Sequence, residues 1–509
     1  AAVGVVTYYG DASNMTGIGA TLYPWSYSPG IGTNTAGVTD NIVTTWSSSI
    51  EAGSGTITIR SGSASGTVVD QFVVGSSSSI TIAGNSLTLN PAVDLSNEVE
   101  YFVTYPAGSI KALGGVLQNE QLIYSFTTEA IVQQLWMWGT DYQGSLAQNT
   151  QDVHLSSPVQ VPGTTWATAH NNVSQSLATK TDGTLWVWGT NQYGGLGQNF
   201  YAPYASGTGL AQGASSPIQI GTGTDWGTDY KNISASDANL QVKTDGTLWA
   251  WGNNDIGELG QNNRTLYSSP TQIPGTTWSD VSGSGDQYKC AIKTDGTLWS
   301  WGYNIYGELG LNQQGVGYYR ISSPTQVGTD TTWSKVMFQR LGTGALAIKT
   351  DGTLWGWGDN QWGGLGLNSA NPAVPRLSSP TQIGTGTDWS DISSGCYQND
   401  NSNIALKTNG TLWAWGRNLD GYLGQNSTVN YSSPVQIPGT WSRMVMGNKA
   451  RYGVKTDGTL WSFGYNQFGT LGLNDRTKYS SPTQVGTATN WMASTMRGGA
   501  NTFTVMRQE

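Results

Sequence analysis

From about residue 39 the chain runs in short stretches of alternating apolar and polar residues, broken by Gly, Asn, Asp and Ser. That two-residue period belongs to half-buried strands. In the first 130 residues it predicts strands over 41–46, 55–60, 66–74, 79–83, 86–90, 98–105 and 121–127, with joins such as Ala83-Gly84-Asn85. Short strands at this spacing predict a β-sandwich. Residues 1–28, rich in Gly, Tyr and Ser, predict an irregular segment, so the sandwich is placed at 29–130 and a second domain at 131–509. No stretch sustains a 3.6-residue apolar period, and the protein reads as all-β.

Beyond residue 131 the alternation is organised by a repeat. Lys-Thr-Asp/Asn-Gly-Thr-Leu-Trp starts at Lys180, Lys243, Lys293, Lys349, Lys407 and Lys455, apolar alternation entering a two-residue turn that a Trp-rich strand leaves. Four landmarks recur seven times in one order. They are Leu-Trp-x-Trp-Gly (first at Leu135, last as Leu460-Trp-Ser-Phe-Gly), Gly-x-Leu, Ser-Ser-Pro-x-Gln-Ile/Val, and a lone Trp. The lone tryptophans are Trp166, Trp226, Trp278, Trp333, Trp389, Trp441 and Trp491. Each unit thus supplies four strands, and four-stranded sheets repeated radially are the blades of a propeller, here seven. The copy at Leu135 lacks its Lys-Thr-Asp-Gly lead-in, while Thr502–Met506 matches the strand Ala345–Lys349. The C-terminal strand is therefore expected to pair with Leu135–Gly139 and close the ring.

Two resemblances follow from these motifs. Gly55-Thr-Ile-Thr-Ile59, Gly66-Thr-Val-Val69, Gly84 to Pro91, Tyr101-Phe-Val103 and Tyr124-Ser-Phe-Thr-Thr128 resemble a bacterial Ig-like domain of cell-surface proteins, which implies a spacer, anchor or docking module. The second domain, above all its Trp-Gly-x-Asn-x-x-Gly-x-Leu-Gly motif, resembles the regulator-of-chromosome-condensation repeat. That family includes a nuclear guanine-nucleotide exchange factor, a secreted β-lactamase inhibitor, and many bacterial and phage proteins; the near-identical, Asn/Thr/Trp-rich copies here are most similar to the last group.

Composition narrows the chemistry. Only 11% of residues are charged, with 69 Gly and 23 Trp, which suits strands and tight turns. The net charge is −9, of which −7 lies in residues 1–130, where nine acids face only Arg60 and Lys111. With no basic stripe, nucleic acid is not an expected partner, and with no apolar run of 18 residues neither is membrane insertion. No signal peptide is visible. Cys290 and Cys396 sit at non-equivalent places in different repeats and read as two isolated buried thiols. His154 and His170 read as surface-loop residues, not a metal pair. One carboxylate per Asp-Gly turn is too few for calcium, so the turns read as structural. No catalytic residue, cofactor or metal site is expected.

Candidate binding residues come from what differs between copies. The segment between Leu-Gly-x-Asn and Ser-Ser-Pro is five or six residues in four copies but fifteen in the second (Phe200–Ala214) and nine in the fourth and fifth. The longer ones bring Tyr201, Tyr204, Tyr318, Tyr319 and Arg320. Before the second Gly of Trp-Gly-x-Asn-x-x-Gly stand Gln143, Tyr193, Ile256, Tyr306, Trp362, Asp420 and Phe468. Large, variable side chains such as Tyr193, Tyr306, Trp362 and Phe468 at equivalent places fit a binding face, or else packing on the adjacent blade. The expected protein is non-enzymatic and displayed on a virion surface as a phage decoration, fibre or other structural protein. Its N-terminal domain would dock to a capsid, tail or other scaffold protein, and its propeller loops would recognise a host-surface protein or glycan. A bacterial cell-surface adhesin and an inhibitor propeller are the alternatives; exchange-factor activity is not expected.

Overall fold

The structure is a computed structural model describing residues 22–34, 36–96, 98–115, 117–118, 120–129, 133–141, 143–150, 153–171, 175–201, 213–282, 287–313, 319–338, 344–369, 376–394, 401–447, 449–498 and 502–508. It divides into two compact units, Ala1–Ile131 and Val132–Glu509.

In the first unit, alternation becomes a sandwich. One sheet runs Pro24–Ser28, Ile42–Trp46, Ser86–Leu89, Ile80–Ala83; the other runs Leu122–Thr127, Glu100–Tyr105, Thr56–Ser61, Thr67–Val73. A short pair, Ile50–Ala52 with Ile110–Ala112, lies beside them. Every second residue points inward, burying Ile42, Thr44 and Trp46 from one sheet and Tyr101, Val103 and Tyr105 from the other. Two buried hydroxyls satisfy each other, Thr44 Oγ1 lying 2.7 Å from the Tyr105 hydroxyl. The sandwich begins before residue 29. Pro24–Ser28, within the segment expected to be irregular, is an edge strand that pairs on one side only, so it needs no alternating pattern.

The second unit consists of seven four-stranded antiparallel sheets. Numbering blades by their Trp-Gly strand and strands A to D from the axis outward, blade 2 reads Trp166–Asn171, Gln175–Lys180, Leu185–Thr190, Gly213–Gln219. The A strands of successive blades neighbour one another around the ring, with Trp491–Gly498 next to Trp166–Asn171. Blade 1 is built from both ends of the unit, as expected. Its D and C strands are His154–Gln160 and Gln133–Thr140, its B and A strands Thr502–Gln508 and Trp491–Gly498, with Leu135 opposite Met506 and Trp138 opposite Phe503. Blade 3 departs from the pattern, its A strand being only Ile233–Ser234 after a 3-10 turn at Tyr230–Asn232 that Asp229 caps through the Lys231 N–H.

Each landmark has a mechanical reason. In the turn, the Asp carboxylate accepts the backbone N–H and hydroxyl of the following Thr, which in turn accepts the indole N–H of the next Trp, as in Asp245, Thr247 and Trp249 at 2.9, 2.7 and 2.9 Å. These bonds hold the exposed Asp182, Asp245, Asp295, Asp351 and Asp457 below the usual carboxylate range. The Lys before the turn lies over two rings, Lys243 sitting 4.7 Å from Trp226 and 4.8 Å from Trp249. In blade 1, Arg507 takes that place over Trp136 and Trp491. Ser-Ser-Pro falls on each outermost strand at a bulge, where a missing N–H faces away from the sheet and blunts the edge. The second Trp of Trp-x-Trp-Gly donates its indole N–H across the joint to the preceding blade, as Trp251 does to the Gly195 carbonyl at 2.8 Å. Phe463 in blade 7 lacks that donor.

Candidate interaction surface

The A–B and C–D connections emerge at one end of the ring, and the C–D connections form its outer rim. Their repeated residues serve the ring itself. The side chain of the motif Asn (Asp141 in blade 1) accepts the N–H of the Leu five residues on, at 2.9 Å for Asn254 and Leu259. The second Gly packs onto the next blade so closely that a Cβ at Gly257 would strike Ser322; Gly469 meets Ser156 the same way and closes the circle. The Asn of Leu-Gly-x-Asn takes a left-handed backbone, φ 56° at Asn262, so that its N–H reaches the Ser322 carbonyl at 2.7 Å.

The variable residues lie just above these joints. Tyr306 and Phe468 are half-buried against the next blade, Tyr306 under the Arg376 guanidinium at 4.0 Å and Phe468 against His154 at 5.2 Å. Asp420 at the equivalent place pairs with Lys478 at 2.7 Å. The cationic or aromatic partner stands two residues before Ser-Ser-Pro, so these two variable positions meet across each of these joints. Tyr193 is half-buried. Trp362 differs: it is 41% exposed, sits at φ 63°, and carries the Arg417 guanidinium 5.3 Å from its ring. From the longer connections, Tyr201 and Tyr319 are exposed, the latter donating its hydroxyl to Gln313 at 2.6 Å, and Arg320 donates to the Asp255 carbonyl. Tyr204 and Tyr318 lie outside the described residues. Every exposed large apolar side chain among the described residues of this unit (Val153, Phe200, Tyr201, Tyr319, Trp362, Leu419, Val429) belongs to a C–D connection. Both histidines are in strands, not surface loops. His154 opens the blade 1 D strand, and half-buried His170 in an A strand accepts the Ala235 N–H at 2.8 Å.

A polar cluster on the axis escaped the sequence reading. Tyr230 lies between the guanidinium groups of Arg443 and Arg497, at 4.0 and 4.7 Å. Asp391 joins Lys335 at 2.9 Å and Arg443 at 3.5 Å. Burial would raise the Asp391 carboxyl, but these two cations hold it below the usual carboxylate range. For Asp280 burial wins, pushing its carboxyl up to about 7 against the pull of Lys231, Lys335 and Arg497. Burial, with Arg443 nearby, pushes Arg497 down to about 9. The signal was present in the sequence, because Asp280, Lys335, Asp391 and Arg443 stand two residues after the lone Trp in consecutive copies, with alternating sign. Near the rim, buried Glu308 accepts the Tyr306 N–H at 2.7 Å, and burial raises its carboxyl to about 7. Among the described residues no three His, Cys, Asp or Glu side chains group as a metal site. Cys290 is a buried free thiol; Cys396 lies outside the described residues.

Comparison with known proteins agrees with this geometry. The bacterial Ig-like domain family matches residues 25–128. The regulator of chromosome condensation (RCC1) repeat matches 245–292, 295–337, 351–399, 409–448 and 457–505. The human RCC1-like G exchanging factor-like protein is 26% identical over 234 residues, 44% of this chain and 48% of that protein. The Protein RCC2 homolog of Danio rerio is 36% identical over 94 residues, 18% of each. The chain thus spans about half or less of these relatives. Yeast RCC1 (Prp20), solved with Kap60, superposes with a TM-score of 0.62 at 16% identity, covering 75% of this chain and 90% of that one. Human WBSCR16 gives 0.60 at 17% identity, over 74% and 99%. At such identities the likeness concerns the fold. The chain is a bacterial Ig-like domain followed by a propeller of regulator-of-chromosome-condensation repeats.

Proposed function

We propose that this chain is a non-enzymatic binding protein displayed on a virion surface. The Ig-like domain anchors it to a capsid, tail or other scaffold protein, and the C–D rim of the propeller recognises a protein partner. The observation that carries the binding role is the confinement of exposed large apolar side chains, among the described residues of the propeller, to the C–D connections. Trp, Tyr and Arg on a rigid frame are the usual anchors of an interface. Prp20, described as binding Gsp1p and histones, supports a protein as the class of partner for such a ring. Low charge, Thr/Asn/Gly-rich copies and the Ig-plus-propeller layout support the surface setting.

Binding of the labelled chain to host cells tests the rim. Trp362→Ala together with Tyr201→Ala is expected to lower binding by roughly tenfold or more, as loss of anchors does, while leaving the melting temperature unchanged because both rings are exposed. Tyr306→Ala removes a half-buried ring from a joint and is expected to cost about 1–2 kcal/mol of stability. Full binding by the Trp362/Tyr201 variant would remove the rim from the reading.

A further inference from the structure

The opposite end of the propeller, made of the B–C turns and the links from each D strand to the next A strand, repeats closely at four joints, loosens at a fifth and opens furthest at a sixth. At Gly183, Gly296, Gly352 and Gly458 the link to the next blade presses on the turn, so that a Cβ would strike the carbonyl of Thr224, Thr331, Thr387 and Thr489; at Gly246 the Thr277 N–H stands further off, at 3.1 Å. At Gly410, between blades 6 and 7, the nearest such atom is the Trp441 carbonyl at 3.5 Å, an ordinary contact.

Three departures of the sequence converge there. The link between Gln436 and Trp441 has four residues, where the other joints have five or six. The turn carries Asn409 where the other five carry Asp. In the B strand, Gly453 replaces the Ala, Gln or Val of other blades, and the Trp441 ring occupies the space a side chain would fill, 2.7 Å from where a Cβ would stand. The result is a groove of about 620 Å³ with Leu406 and Trp441 in its lining and Asn409, Thr440, Ser442 and Thr456 around it. Lys407 also lines it, but its ammonium is held by Asp388 at 3.0 Å and by the faces of Trp389 and Trp413.

We infer that this groove binds a neutral saccharide. Asn409 Oδ1 is held by the Thr411 N–H and hydroxyl, and the Thr440 and Thr456 hydroxyls lie 3.3 Å apart. The Asn409 amide N–H groups therefore remain to donate, beside the exposed Ser442 hydroxyl and the spare lone pairs of the two threonines, a neutral set that matches a polyol. The turn carboxylate found at the other joints is absent and the cation in the lining is already paired, so the wall holds no spare charge for an ion. The volume lies in the range of small-ligand sites. The groove is at the end away from the C–D rim, so it stands or falls apart from the rim reading.

An array of neutral and anionic oligosaccharides probed with the full chain, followed by saturation-transfer NMR with the strongest neutral binder, tests this. Inserting a Thr after Thr440 restores the link length, and Asn409→Asp restores the turn carboxylate. Each is expected to weaken binding by roughly tenfold or more, as the loss of a hydrogen-bonded contact does, while Trp362→Ala leaves it unchanged. Asn409→Asp, a nearly isosteric change at an exposed turn, keeps the test decisive should the insertion not fold. Absence of any neutral binder on the array, or undiminished binding by the folded variants, would overturn the assignment.

Discussion

Deleting residues 501–509 is expected to abolish folding of the propeller at 37 °C. The lost strand contributes Phe503, Val505 and Met506, all fully buried, each worth about 2 kcal/mol in burial. It also contributes Arg507, the cation over Trp136 and Trp491, and every ladder bond between Leu135–Gly139 and its partner. Against a typical total of about 5–15 kcal/mol, that loss is decisive. It leaves the Trp-Gly strand of blade 1 as an open edge and the A strand Trp491–Gly498 without its neighbour. Circular dichroism melts of full-length and truncated chains check it. Supplying the segment as a synthetic peptide is expected to restore the transition, whereas a truncated chain that melts like the full one would contradict closure by this strand.

Asp280→Asn is expected to stabilise the propeller at pH 8 and to change little at pH 4. The folded carboxyl is raised to about 7, above its value in the unfolded chain. The folded state therefore binds that proton more tightly, and its contribution is fully present below pH ~4 and lost as pH rises through 7. A rise of that size from the ordinary Asp value corresponds to at most about 4 kcal/mol. Glu308, raised to about 7 by burial, loses stability over the same window, so the difference between wild type and variant isolates Asp280. Melting temperatures at pH 4, 6 and 8 should diverge progressively in favour of the variant. A constant offset, or a less stable variant at pH 8, would show that the axial cations compensate the charge fully. Removing the partner of a pair acts oppositely. Half-buried Asp391 holds Lys335 and the buried Arg443 together, and removing it leaves a buried cation without its partner, which is costly.

What could be read in the sequence was what repeats. A turn residue at a fixed offset, a Pro on every outer strand and a C-terminal copy of Ala345–Lys349 are local signals, and seven copies average out the noise of any one. The ring closure between Trp138 and Phe503 was legible for that reason. What escaped depends on pairs distant in sequence. Asp280, Lys335, Asp391 and Arg443 acquire meaning only when seven A strands face one axis, and the Tyr230 turn completes the cluster because Asp229 caps it. The rim lay between these cases. Tyr306 and Phe468 stand at a position whose partner is in the next copy, two residues before Ser-Ser-Pro, so the sequence left both binding and packing open. The geometry places them in the joints and leaves Trp362, Tyr201 and Tyr319 outward. Pro24–Ser28 was missed because an edge strand with no fully buried residue has no apolar alternation to detect.

Cross-linking mass spectrometry on purified virions tests surface display with an anchoring sandwich and an outward rim most directly. Lys111 is the single lysine of residues 1–130, and Lys478 stands exposed on the rim. Such display requires that the chain be present in the particles, that Lys111 cross-link to a scaffold protein, and that Lys478 be modified by a soluble reagent on the intact particle. Absence of the chain from purified particles, or cross-links to the scaffold from Lys478 with Lys111 free, would contradict it.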